Sequence, residues 1–199
     1  MIQIQVWADF ECPYSYFQTI VLEKLQARYQ ERLEIVWRAF ELTPVEGNIL
    51  PTQSYIDNLE ASKSEPIVVQ ENLELLTPKT LSYTWLAQES VYFANSQGLS
   101  LKLARALFDA FFLRGLDISN EEVVMQIASQ IGIDAQRLKN ALENGELTKH
   151  VMADEQEFKT YGFQGLPAML IGEKDFSPRS FMPITGYKTV EELLKILPR

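Results

Sequence analysis

The chain of 199 residues carries a net charge of −9, with 46% apolar and 23% charged residues, one histidine and one cysteine. This balance fits a globular chain of one or two domains rather than a disordered one, and the negative charge disfavours nucleic acid and anionic membranes as partners. A lone cysteine rules out an internal disulfide framework, and with a lone histidine it disfavours a structural zinc site. A cytoplasmic, metal-free protein is therefore expected, whose redox chemistry passes through a second molecule.

In chain order, Ile2, Ile4 and Val6 alternate with Gln3, Gln5 and Trp7, the period of a half-buried strand rather than a secretory signal. No apolar run reaches the roughly 18 residues of a membrane span. After the link Ala8-Asp9-Phe10-Glu11, the residues Phe17, Ile20, Val21, Leu25 and Tyr29 recur at helical spacing. Proline is favoured at the first helical position, so Pro13 places Cys12 at the N-cap. Leu33, Ile35, Trp37 and Ala39 alternate again, giving a second strand to about Phe40 and a βαβ unit.

From Ser54 to Met152 the pattern turns helical. Thr80 to Ser96 predicts one helix, a shorter one lies between Pro66 and Pro78, and Ala104, Leu107, Phe108, Phe111 and Phe112 share one helix face. Ser119 with Glu122 predicts a capping box, and Asp134 predicts a cap for a helix carrying Leu138 and Leu142. Strand signals return at Pro167 to Ile171 and at Ser180 to Thr185, where Pro183 implies an edge or a bulge. Thr189 with Glu192 predicts a capping box for a last helix before Pro198. The expected fold class is α/β: β-α-β then β-β-α, interrupted by an all-helical insert. Residues 1–53 and 153–199 would form the α/β domain, and 54–152 the helical insertion domain.

The chemistry centres on Cys12. Unpaired N–H groups and the dipole at a helix start favour thiolate over thiol, and thiolate is the reactive form. Asp9 and Glu11 would oppose ionisation if they face the sulfur, while the Ser15 hydroxyl, one turn on, could donate to it. A buried, inert cysteine is the competing reading. Gly165-Leu166-Pro167 precedes a strand, where an X-Pro bond could be cis or simply belong to a loop. His150 reads as a surface residue and Asp154-Glu155-Gln156-Glu157 as a solvated helix face. Trp85, Tyr92, Phe93, Phe108, Phe111 and Phe112 read as core of the insert, some of them lining a groove above Cys12.

Asp9-Phe10-Glu11-Cys12-Pro13-Tyr14-Ser15-Tyr16, the element order and Gly165-Leu166-Pro167 together resemble the DsbA-like thioredoxin superfamily. The resemblance extends to its FrnE-type branch, related to the 2-hydroxychromene-2-carboxylate isomerases and kappa-class glutathione transferases. Trp37 to Leu42 with Pro44, Leu107 to Phe112 and Gly115 to Ser119 carry it along nearly the whole chain. It implies that Cys12, within Cys12-Pro13-Tyr14-Ser15, is the attacking thiol and that Pro167 is cis and faces it. It also implies that Gly165, Leu166 and Pro167 bind the backbone of a thiol peptide such as glutathione.

The chain departs from both branches. FrnE-type proteins carry a second cysteine where this chain has Ser15, and the isomerase and kappa branches carry serine where it has Cys12. Serine cannot resolve a mixed disulfide. The leading expectation is a thiol-disulfide oxidoreductase acting through Cys12 alone. It would have no tightly bound cofactor, glutathione as a co-substrate, and a disulfide-containing protein or small thiol peptide as partner. A glutathione-dependent isomerase or transferase and a noncatalytic thiol-peptide binder are the alternatives. The oligomeric state stays open, a homodimer included.

Overall fold

The computed structural model describes residues 1–47 and 49–198. Strand β1 (Ile2–Ala8) runs parallel to β2 (Leu33–Ala39), with Ile2 opposite Leu33 and Ala8 opposite Ala39. Two parallel strands need a crossover, which α1 (Pro13–Tyr29) provides. On its other side β1 pairs antiparallel with β3 (Ala168–Glu173), which pairs antiparallel with β4 (Met182–Thr185), giving the order β2-β1-β3-β4. Pro183 lies in edge strand β4, where its missing N–H costs no interior ladder bond. The final helix α9 (Val190–Ile196) opens on the expected capping box of Thr189 and Glu192.

Between β2 and β3 lie α2 (Gln53–Ser62), α3 (Pro66–Gln70), α4 (Trp85–Asn95), α5 (Ser100–Phe108), α6 (Glu121–Gln130), α7 (Ala135–Glu143) and α8 (Thr148–Thr160). A π-helical turn, Asp109–Leu113, continues α5. No strand occurs from 54 to 152 among the described residues, apart from an isolated bridge between Ile49 and Leu81. The α/β thioredoxin fold with a helical insert is therefore what the chain adopts. Helix α8 runs through position 153 without a break.

Strand β1 is buried on both faces from Ile4 to Ala8, which its alternation did not anticipate. Ile4 and Val6 point into the main core with α1 and the insert, while Trp7 enters a second core with Phe158, Phe163, Leu170 and Phe181. Tyr16 of α1 stacks on Phe108 and Phe112, so the helix carrying the cysteine is clamped between sheet and insert. The insert aromatics divide accordingly. Phe108, Phe111 and Phe112 are core, whereas Trp85, Tyr92 and Phe93 are only half-buried. Tyr92 and Phe93 line a cavity of about 460 Å³ with Arg38 and His150, and the half-buried His150 ring stacks on Tyr92 at 4.7 Å.

Local chemistry shifts several boundaries. The cap of α6 is Asn120, which accepts from the Glu122 N–H at 2.8 Å, because Ser119 is drawn away to donate to Asp117. Asp134 caps α7 as expected. Helix α3 stops at Gln70, two residues before Asn72 adopts φ 52°, and α4 starts at Trp85 rather than Thr80. Residues 178–180 form a 3₁₀ turn, so the last strand begins at Met182.

The stretch from Asp154 to Glu157 is not a uniformly solvated face. Asp154 is 1% exposed; its carboxylate accepts from Arg38 at 2.6 Å and from the Ala39 N–H at 3.0 Å, and its carbonyl accepts from the Trp7 indole at 2.8 Å. A buried carboxylate needs such partners. Its neighbours Glu155, Gln156 and Glu157 are half-buried or exposed, and Glu157 also pairs with Arg38.

Candidate active site

Proline fixes the start of α1, and Cys12 occupies its N-cap in extended conformation, with no side-chain capping bond. The Leu166–Pro167 bond is cis. The Cys12 Sγ donates to the Leu166 carbonyl at 3.9 Å, which joins two segments 154 positions apart. Pro167 in turn accepts from the Gly186 N–H through its own carbonyl, tying the loop to the end of β4. Cys12 and Leu166 thus meet across one site, with Gly165 and Pro167 on either side of Leu166. Tyr14 is half-buried and Ser15 fully buried beside them.

Burial works against ionisation of the sulfur. Cys12 is only 7% exposed, and its thiol is pushed above the ordinary range, first by burial. Hydrogen bonding from the Ser15 side chain and backbone opposes this, and the Asp9 charge reinforces it. The expectation of a depressed thiol is corrected: the helix start does favour the thiolate, but a nearly enclosed sulfur beside a carboxylate loses more from lost water than it gains. Ser15 also accepts from the Asp9 N–H at 3.4 Å, which fixes it behind the sulfur.

The sequence reading named Asp9 and Glu11 as groups that would oppose ionisation, but it missed Glu41 and the burial of all three. Asp9, Glu11 and Glu41 are 0%, 2% and 4% exposed. One Asp9 oxygen accepts from the Leu42 N–H, one Glu11 oxygen from the Thr43 hydroxyl and one Glu41 oxygen from the Thr84 hydroxyl. The second oxygen of each, Asp9 Oδ1, Glu11 Oε1 and Glu41 Oε2, has no partner among the described residues. Burial, chiefly, raises Asp9 to about 6 and both Glu11 and Glu41 to about 8, with mutual repulsion adding to the two glutamates. The signal was present in the parallel pairing of Ala8 with Ala39, which brings residues 9–11 and 40–41 out at one end of the sheet.

The site can be compared with known proteins. A family model described as the DSBA-like thioredoxin domain matches residues 3–197. The chain belongs to this family. Among curated proteins, YwbO of Bacillus subtilis (strain 168), itself uncharacterised, is 26% identical over 148 residues, covering 71% of this chain and 72% of its own. Among solved structures, a candidate protein disulfide isomerase from Nitrosomonas europaea has a TM-score of 0.81 at 17% identity, covering 98% of this chain and 95% of its own. A 2-hydroxychromene-2-carboxylate isomerase superimposes with a TM-score of 0.71 at 19% identity, covering 98% and 92%. The cytosolic disulfide reductase DsbM from Pseudomonas aeruginosa, solved with GSH, gives 0.68 at 13% identity, covering 92% and 88%. At these identities the structural likenesses establish the fold.

Proposed function

We propose that this DSBA-like protein is a one-thiol disulfide oxidoreductase working through Cys12 in the cytoplasm, with glutathione as the resolving thiol. The observation that carries the reading is the placement of the sole thiol at the start of α1, facing the carbonyl before cis Pro167. Cys12 gives up its proton and attacks one sulfur of a partner's disulfide. The Cys12–partner S–S bond forms as the old S–S bond breaks, and the departing sulfur leaves as a thiolate that takes up a proton. A glutathione thiolate then attacks the partner's sulfur, and Cys12 leaves and is reprotonated. No second cysteine exists in the chain to perform that last step.

The raised thiol lowers the fraction poised to attack but stabilises the mixed disulfide once it has formed. A sulfur of high pKa is a poor leaving group but an intrinsically strong nucleophile once ionised. Cys12 therefore suits forming and holding a mixed disulfide more than releasing one unaided. Tyr14 and Ser15 flank the sulfur. Gly165, Leu166 and Pro167 supply backbone for the partner peptide, the Leu166 carbonyl exchanging its bond to Cys12 for one to the incoming chain.

The test is incubation with oxidised glutathione or a disulfide peptide, followed by intact mass measurement. A single adduct on Cys12, removed by added glutathione and absent in Cys12→Ser, is expected. Absence of any adduct after hours at pH 8.5 would overturn the reading. The isomerase or transferase reading draws on the likeness to 2-hydroxychromene-2-carboxylate isomerase and on Tyr14 and Ser15 beside the site. It requires glutathione binding that survives Cys12→Ser.

A further inference from the structure

Within the helical insert, a cavity of about 490 Å³ lies between the segment 76–82 and the turn that follows α5. None of Cys12, Tyr14, Leu166 or Pro167 lines it. The backbone makes this space. Helix α5 ends in the π-helical turn Asp109–Leu113, and such turns occur frequently at functional sites. The Phe112 carbonyl accepts from the Leu76 N–H at 2.8 Å and the Ala110 carbonyl from the Leu116 N–H at 2.9 Å, which anchors a wall on either side. The Ser82 hydroxyl donates to Asp117 at 2.9 Å and accepts from the Ile118 N–H at 3.3 Å, tying the two walls together. Gly115, at φ 62°, turns the chain at the rim, close enough that an added Cβ would touch Leu76.

The lining divides by chemistry. Phe111 and Pro78 are buried, while Leu76 and Leu116 are 45% and 36% exposed. Lys79 and Arg114 also line the cavity; both are exposed, and neither forms an ion pair among the described residues. Asp117 gives an oxygen to Ser82 and Ser119 and pairs with neither cation. In a chain of net charge −9, two unneutralised cations beside an apolar lining are a local exception. Ligand pockets of this size are mostly apolar, with a few polar groups that fix orientation.

We propose that this cavity binds a small aromatic monocarboxylate, at a site separate from Cys12. The ring lies against Phe111, Pro78 and the two leucines, and the carboxylate meets Arg114 and Lys79. A guanidinium matches a carboxylate through two parallel N–H bonds, and the ammonium adds a mobile point charge. A bare inorganic anion would leave the apolar lining wet, and a neutral ring would leave both cations without a partner. The Asp117 charge works against a second acidic group on the ligand.

The experiment is calorimetric titration of the intact protein with 2-naphthoate, beside the neutral analogue 2-naphthylmethanol. Saturable binding of 2-naphthoate is expected, with the neutral compound about tenfold weaker or worse. Lys79 and Arg114 are exposed, so replacing them leaves the core untouched. Arg114→Gln and Lys79→Gln should each weaken binding about three- to fivefold, and the double variant about tenfold or more. Protein whose Cys12 has been alkylated with iodoacetamide should bind the probe as before. No saturation by about 5 mM would overturn the proposal, as would equal binding of the neutral analogue. Undiminished affinity in the double variant would do the same. Loss of binding on alkylation would place the probe at Cys12 and overturn it too. None of these readouts requires disulfide exchange, so the outcome stands apart from the proposed use of the thiol.

Discussion

Stability should fall as pH rises from 5 to 8, opposite to the behaviour of a protein whose carboxylates are paired. In the unfolded chain Asp9, Glu11 and Glu41 release their protons near the ordinary values of 3.8 and 4.5, whereas folded they hold them to about 6, 8 and 8. Between those limits the folded state binds more protons, so each pH unit costs about 1.4 kcal/mol per extra proton held. The contribution is complete below pH 4, is lost progressively through pH 8 and changes little above it. With these values the folded state holds about two to three extra protons near pH 5 and about two from pH 6 to 8, so the loss comes to several kcal/mol, a large share of the roughly 5–15 kcal/mol typical of a domain. Asp154, also raised, adds in the same direction, while Asp117 and Glu34, both lowered, act below pH 4.5. Urea unfolding at pH 5, 6, 7 and 8 and constant ionic strength, followed by fluorescence of buried Trp7 and Trp37, measures it. A midpoint that is flat or rises over this range would refute the reasoning. Glu41→Gln should flatten the slope.

Asp154→Ala removes the acceptor of Arg38 and of the Ala39 N–H and should cost about 3 kcal/mol in urea unfolding. Gly172→Ala would set a Cβ 2.3 Å from the Phe181 ring; a loss of about 1–3 kcal/mol, read by thermal melting, is expected. Asn120→Ala should destabilise by about 1 kcal/mol, whereas a capping role for Ser119 would give that loss to Ser119→Ala instead. Ser15→Cys would supply the missing second sulfur, and an internal disulfide with Cys12, seen as a mass two units lower per oxidised chain, is expected alongside gain of dithiol exchange.

The fold was legible because its signals are local. Alternation at Ile2–Val6 and Leu33–Ala39, proline after Cys12 and the Thr189–Glu192 box each depend on neighbours along the chain. The errors came from partners far away in sequence. Trp7 read as the outward side of a strand because nothing nearby shows that α8, some 150 positions on, covers that face. Asp154 read as solvated because its partners, Arg38 and Ala39, lie more than 100 positions earlier. The ionisation of Cys12 was misjudged for the same reason. The local helix start argues for a thiolate, while the enclosing residues and the acids beneath come together only after the two parallel strands pair.

The clamping of α1 has a consequence for how far the molecule can be pared down. Its leading half, Pro13 to Leu22 apart from Tyr14, has no water-facing side, because ring after ring from Phe108 and Phe112 closes over Tyr16. A minimal version stripped to four strands and two flanking helices would leave greasy aromatic surface bare around the sulfur and would clump. In this lineage the helical segment serves as the missing wall of the domain that bears the thiol.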